Sequence, residues 1–282
     1  MSAAAPRGAP LVANARMYAV NDDVAELWRR LFEWVAADSG VALQVVAHAA
    51  PAPLERLWQR DDLGCAFICG YPLAAWADPS RARPRVLAAP LPSPPRYGGR
   101  AVYCTDIVVR TDAPYNDANA LRGARFGSTV EHSQSGFHAP RHFFSQRPTA
   151  ADGRFFGSVV GPLQTPRRIV DAVLDGRIDA GPIDSWWHDL LRRHEPATAA
   201  QLRTLASTPL TPLPPLVAAA TTPAESRRRL AASLLSVASA DALADVRRGL
   251  LLDGFAPATA AAYRVLLRHA RRTDATAYRE PG

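Results

Sequence analysis

The 282-residue chain contains no lysine, so all 33 of its basic residues are arginine. It also lacks any run of eighteen apolar residues, and no stretch can cross a membrane as a helix. The glycine-rich phosphate loops Gly-x-Gly-x-x-Gly and Gly-x-x-x-x-Gly-Lys are absent, as is the Gly-x-Ser-x-Gly elbow of serine hydrolases. No internal repeat and no low-complexity tail interrupts the chain, and no spacing of ligands recommends a metal site. Three cysteines cannot all pair within one chain. Cys65 and Cys69 share an apolar run, and at positions i and i+4 of a strand they would stand roughly 13 Å apart, beyond disulfide reach. They read as buried small hydrophobes.

What is present is an ordinary globular composition. At 48% hydrophobic and 21% charged the chain is too apolar for disorder and long enough for one large or two medium domains. The arginine excess gives a formal charge of +7; beside so much alanine and proline it reads as GC-rich codon usage and only weakly suggests an anionic partner. The N-terminal Met1-Ser-Ala-Ala-Ala-Pro-Arg-Gly-Ala-Pro lacks the basic start and apolar stretch of an export signal. Two expectations stay open: a cytoplasmic protein, or one whose signal is missing from this start.

The periodicity alternates between strand and helix. Residues 15–20 read as a strand, with a helix following the Asn21-Asp22-Asp23 cap and carrying Val24, Leu27, Trp28, Leu31 and Val35 on one face. Residues 41–49 and 64–70 read as further strands around a short helix at Leu54–Trp58, while 77–99, rich in proline and arginine, read as irregular. A long strand over 101–110 opens a second set: strands at 122–128, 155–160, 178–183 and 202–207, with helices at 135–146, 166–174 and from Asp184 through Arg193. A strand at 216–220 and helices near 223–238 and 257–272 close the chain. The expected architecture is α/β in two lobes, 1–103 with 208–282 and 104–207, each an open, mainly parallel sheet flanked by helices, with a ligand cleft between them.

The segment Gly127-Ser-Thr-Val-Glu-His-Ser-Gln-Ser-Gly-Phe-His138 joins a strand to a helix. Backbone N–H groups at a helix start have no internal acceptor, and the helix dipole adds positive potential there, so flanking hydroxyls complete an oxyanion pocket. Ser133 or Ser135 as a simple N-cap is the competing reading. Ser-Gln-Ser-Gly resembles the Ser/Thr-x-Ser-Gly signature of the phosphate/phosphonate-type binding proteins of ABC transporters. Further stretches are similar to the same family in the same order: Tyr18-Ala-Val-Asn, Ala66-Phe-Ile-Cys-Gly-Tyr-Pro-Leu, Tyr103 through Arg110, Leu121-Arg-Gly-Ala-Arg-Phe, 173–185 and 207–217.

The resemblance spans roughly residues 15 to 270 and implies a two-lobed, non-catalytic, periplasmic binding protein of the type II fold that closes on a small anion by hinge bending. It implies no cofactor, a membrane permease as partner and a monomeric state; nucleic-acid binding would rest on charge alone and is not expected. Carried over by position, the ligand contacts are Tyr18, Asn21, Tyr71, Ser133, Gln134, Ser135 and Asp184. Asp184 would accept a hydrogen bond from a ligand O–H or ammonium, or else cap the helix that follows it. Between Val160 and Pro166 the family's Gly-x-His turn is replaced by Gly161-Pro162-Leu163, which counts against a simple phosphonate. His132 or His138 is a possible replacement donor, against the reading of each as a surface histidine. Trp186 and Trp187 follow Asp184, and either is a candidate to line the cleft. The rival reading is a cytoplasmic sensor or enzyme of the same fold; the cysteine-rich cleft motif of thiamin-pyrimidine enzymes is not matched, and no helix-turn-helix segment is left over for a regulator.

Overall fold

The computed structural model describes residues 9–147, 153–276 and 278; the stretch 1–8 lies outside it. Strand β1 (Leu11–Asn14) precedes a 3-10 turn at Arg16–Tyr18, so the strand expected at 15–20 is displaced toward the N-terminus. Helix α1 (Asp22–Ser39) starts where Asn21 Oδ1 accepts the Val24 N–H at 3.1 Å, and it buries Val24, Trp28, Leu31, Phe32 and Val35. Gly40 ends it at φ 63°, a left-handed conformation that favours glycine. Then come β2 (Leu43–Val45), α2 (Leu54–Trp58), β3 (Leu63–Phe67) and α3 (Gly70–Ala74), followed by β4 (Arg85–Pro92) inside the stretch expected to be irregular.

The long strand expected at 101–110 is broken at Cys104 into β5 (Val102–Tyr103) and β6 (Thr105–Arg110), which pair with different strands. Strand β7 (Arg125–Gly127) leads to a π-helical turn, Gln134–His138, that runs on into α4 (Ala139–Phe144). After β8 (Ser158–Val160), helix α5 (Pro166–Leu174) is opened by Thr165, whose Oγ1 accepts the Arg168 N–H. Strand β9 (Ala180–Asp184), α6 (Ser185–His194), α7 (Pro196–Ala199), β10 (Leu202–Ser207), β11 (Thr211–Pro212) and β12 (Leu216–Ala218) follow. The chain ends through α8 (Ala224–Ser236), α9 (Ala244–Gly249), β13 (Leu252–Ala256) and α10 (Arg264–Asp274).

The described residues form two compact units. The first comprises 9–68, Trp76–Ala101 and Leu213–Ala260, and the second Cys69–Ala75, Val102–Pro212 and the residues from 261 onward. The crossings at 101/102 and 212/213 fall near the expected bounds of 104 and 208. The segments 69–75 and 261 onward, expected in the first lobe, group with the second unit because α3 and α4 both pack on α10.

The first unit's sheet runs β13-β4-β12-β3-β1-β2, with β1 parallel to β2 and β3 and the other ladders antiparallel. The second unit's main sheet runs β10-β6-β9-β7-β8, parallel only from β9 through β8, beside a short β11–β5 ladder. Both sheets are therefore mixed, which corrects the expectation of mainly parallel ones. In the second unit β6, by which the chain enters, is antiparallel to both its neighbours, and in the first so is β12, by which it returns.

The first unit's core is built on Trp28, Phe32, Phe67 and Trp58, with the indole N–H groups of Trp28 and Trp58 donating to the carbonyls of Tyr18 and Phe67. In the core of the second unit, Phe126, Phe144, Phe155 and Phe156 meet at centroid distances of 4.3–5.6 Å, mostly edge to face, with Ile107, Val109 and Leu121 around them. All three cysteines are buried free thiols, and burial pushes the Cys65 thiol far up.

Candidate functional site

The Ser-Gln-Ser-Gly segment lies in the second unit. Beyond Gly127 the chain turns through buried Ser128 and Thr129 into the π-helical turn. The His138 N–H donates to the Ser133 carbonyl (3.0 Å) and the Ala139 N–H to the Gln134 carbonyl, the i to i+5 pattern of a widened turn, which recurs at functional sites. Ser133 Oγ accepts the Gly136 N–H at 3.0 Å, so this serine is the N-cap, and its own hydroxyl proton has no acceptor among the described residues. No acidic residue stands in the first turn to oppose an anion.

Gly136 is required by close approach. A Cβ there would overlap the Thr129 hydroxyl and lie 2.7 Å from Thr129 Cβ, while the Thr129 N–H donates to the Gly136 carbonyl at 3.1 Å. Two contacts from distant sequence fix the loop: the Gln134 N–H donates to Cys69 Sγ at 3.2 Å, and the Thr105 hydroxyl to the Ser135 carbonyl at 3.1 Å.

Tyr103, 1% exposed, ends β5 with a buried hydroxyl that makes no well-formed hydrogen bond among the described residues. Burial raises this phenol well above its ordinary range, the neighbouring Cys69, Asp184 and Tyr263 raise it further, and a hydrogen-bonding contact with the Ser135 side chain lowers it. The group is a neutral donor. Burial likewise pushes Cys69 up to about 11, so it stays a thiol although the Gln134 N–H favours the thiolate. Asp184 ends β9, and its Oδ1 accepts the N–H groups of Trp186 (2.9 Å) and Trp187 (3.1 Å). The cap reading of Asp184 is thus realised, and its carboxylate also lies near enough to Tyr103 and Cys69 to perturb both. Trp186 and Trp187 are buried in the core behind it.

Tyr71 lies in the first turn of α3, its ring stacked on the His138 imidazole at 3.5 Å between centroids and 25° between planes. His138 is no surface histidine: burial, then the charge of Arg141, holds it down to about 4, and its Nδ1 is buried without a partner. Gln134, 1% exposed, turns its side chain to a separate cavity bordered by α4 and α10, with Oε1 unpartnered.

In the first unit, Tyr18 is buried, 1% exposed, its ring edge-on to Phe67 at 4.8 Å, and Asn21 is engaged as the α1 cap. The structure therefore assembles Ser133, Ser135, Asp184 and, through His138, Tyr71 around one helix start, and gives Gln134 a different outlook. Sequence reasoning missed Tyr103, Cys69, Thr105 and Thr129 as parts of this constellation. Tyr103 belonged to a family-like stretch, but only the strand break at Cys104 reveals its role. Where the family turn carries histidine, the Leu163 N–H donates to the Ser128 carbonyl at 2.8 Å, and the leucine side chain packs beside Gly127. That position supplies hydrocarbon and no donor.

Neutral hydroxyls, a helix start with no acid in its first turn and one nearby carboxylate are thus brought together. A family model of ABC-transporter phosphonate periplasmic substrate-binding proteins matches residues 18–263. The chain belongs to this family of solute-binding proteins, and it has the mixed α/β, type II binding-protein fold. One solved structure similar to it is a binding-protein component of an ABC phosphonate transporter from Pseudomonas aeruginosa. It is 17% identical, covers 94% of this chain and 88% of that one, and has a TM-score of 0.77. PhnD1 of Prochlorococcus marinus, solved with methylphosphonate, is also 17% identical, covers 94% and 98%, and scores 0.76. A Xanthomonas citri protein bound to ATP is 16% identical over 96% and 100%, with a TM-score of 0.65. No curated protein matches the chain.

Proposed function

We propose that this chain captures a small phosphonate- or phosphate-like anion on the Ser133–Ser135 loop and hands it unchanged to a membrane permease, acting as a periplasmic monomer. The carrying observation is the Tyr103 hydroxyl: fully buried, kept protonated, touching the Ser135 side chain but making no well-formed hydrogen bond among the described residues, and placed near Asp184. A buried O–H left unsatisfied costs about 1–3 kcal/mol, and a bound oxyanion would recover it. Ser133 and Ser135 would add donors beside the helix start, and Asp184 would accept the proton of a monoprotonated ligand. Leu163 in place of a histidine removes one donor, which favours ligands of lower charge over a fully ionised phosphonate.

A binding role without catalysis is supported by the same groups. The Cys69 thiol is held up to about 11 and the His138 imidazole down to about 4, leaving neither a thiolate nucleophile nor a base poised near neutrality.

Thermal unfolding against methylphosphonate, aminoalkylphosphonates, phosphate, phosphite, sulfate and small carboxylates tests the reading. A ligand at a hundred times its dissociation constant adds about 2.7 kcal/mol, a rise of several degrees. A rise with a phosphorus oxyanion that is lost on Ser135→Ala supports it. No shift with any phosphorus oxyanion contradicts it.

A further inference from the structure

Behind the serine loop, within the second unit, lies a cavity of about 390 Å³ bordered by α4, α10 and the β10–β11 link. Its size suits a small organic molecule. Three features of its lining are unusual together. Gln134 is almost wholly buried, and its Oε1 has no hydrogen-bond partner. Arg272 has neither an ion pair nor a hydrogen bond among the described residues. His142 and His269 lie face to face at 4.6 Å with 7° between their planes.

We propose that this cavity is a second ligand site, separate from the serine loop, for a small organic anion that also carries a hydroxyl. Arg272 and the paired imidazoles would hold the anionic end, and the buried Gln134 Oε1 would accept the ligand O–H. Gln134 sits between Ser133 and Ser135, so an occupant here touches the same turn that forms the oxyanion loop.

The charges around the histidines favour an anion. His142 is bonded through Nδ1 to the Thr273 hydroxyl (3.0 Å) and through Nε2 to Gln146 (3.1 Å), and His269's ring makes no hydrogen bond among the described residues. From α10, Arg268 and Arg272 face the pair. The one nearby carboxylate on that helix, Asp274, is engaged by Arg141 of α4 at 2.8 Å. Just beyond α4, Arg147 lies over the Phe143 ring, and the β10–β11 link and β11 contribute the uncharged Thr208 and Thr211. Burial lowers both histidines; the partner ring and then Arg272 lower His142 further, and Arg272 and then Arg268 lower His269. Both rings are therefore neutral at neutral pH. A bound anion would reverse the local field and draw a proton onto the pair, so affinity rises as pH falls.

The test is calorimetric titration of malate, succinate and glycerol 3-phosphate into protein already saturated with methylphosphonate, at about pH 6 and about pH 7.5. Malate or glycerol 3-phosphate should bind, several-fold more tightly at the lower pH, and succinate, which lacks the hydroxyl, more weakly than malate. Arg272→Gln, an exposed position that leaves the melting temperature unchanged, should weaken binding about tenfold or more. His269→Gln should remove the pH dependence, and Ser135→Ala, titrated without methylphosphonate because it is expected to lose that ligand, should bind the three compounds as the unliganded parent protein does. Absence of heat from all three compounds at both pH values overturns the proposal. So does binding that Ser135→Ala abolishes and Arg272→Gln spares, and equal affinity for malate and succinate removes the hydroxyl from the ligand class. If methylphosphonate itself does not bind, that result falls on the proposed function alone, and the same titrations on unliganded protein still decide the second site.

Discussion

The two units each contain a helix start that a sequence reader would nominate for ligand contact, and the structure treats them in opposite ways. At α1, Asn21 caps the Val24 N–H, and Asp22 and Asp23 occupy the first turn. The dipole is answered from within, and an anion brought there would meet two carboxylates. At the serine loop no acid stands in the first turn, and Tyr103, Thr129 and His138 each keep a buried polar atom without a partner. The contrast holds more widely: among the described residues the unpartnered buried atoms of Tyr103, Thr129, Gln134, His138 and His188 belong to the second unit, and Arg247 Nε is the first unit's example. One helix start is finished as structure. The other keeps unpartnered buried polar atoms, as the proposed oxyanion site requires.

The comparison breaks most visibly at Gly136. Gly136→Ala drives a methyl into Thr129, and it should cost about 2 kcal/mol of stability and abolish oxyanion binding, read by thermal unfolding and calorimetry. Retained affinity would show that the turn is not the site. The paired change Ser133→Ala and Ser135→Ala should weaken binding by roughly 2–3 kcal/mol, with about 1 kcal/mol lost from stability through the missing cap.

A pH series sharpens the contrast through His138, whose stack on Tyr71 belongs to the second unit alone. Its folded value lies near 4, below the ordinary 6.5, so the unfolded chain takes up the proton first. The stability it contributes is fully present above pH 6.5 and declines as pH falls toward 4, by on the order of 3 kcal/mol. His142 and His269 are lowered too and act in the same direction. Melting temperatures that decline over this range in the parent and less in His138→Phe agree with this; parallel profiles do not. The smallest effect is expected in the first unit. Asn21→Ala should cost about 1 kcal/mol of stability as a lost cap and leave oxyanion affinity unchanged. A marked loss of affinity would restore Asn21 to the site.

Legibility followed the range of the interactions. Helix α1 could be read from its apolar stripe and Asn21, and α5 from Thr165 and Pro166, because both signals are local. Strand β4 could not, since Pro90 and Pro92 argue against a strand. The structure tolerates them because residues 85–88 pair with β12 and residues 89–92 with β13, so the prolines face no second ladder that needs their missing N–H. The serine loop was legible as a motif, whereas its supports were not. The Cys69 thiol that holds the Gln134 N–H lies 65 residues away, and Tyr103 is exposed as a site residue only by the change of ladder at Cys104. Nor does any local pattern tell that the Gln134 side chain leaves the loop whose backbone it shares.

The most direct measurement compares Tyr103→Phe with the parent protein, pairing a melting curve without ligand with calorimetric titration of methylphosphonate. If the unpartnered hydroxyl exists for the ligand, the variant melts at the same temperature or higher, because a buried unsatisfied group has been removed, and its affinity falls by about 1–2 kcal/mol. A variant that melts lower and binds as tightly as the parent would contradict the assignment of the oxyanion site to the serine loop and Tyr103.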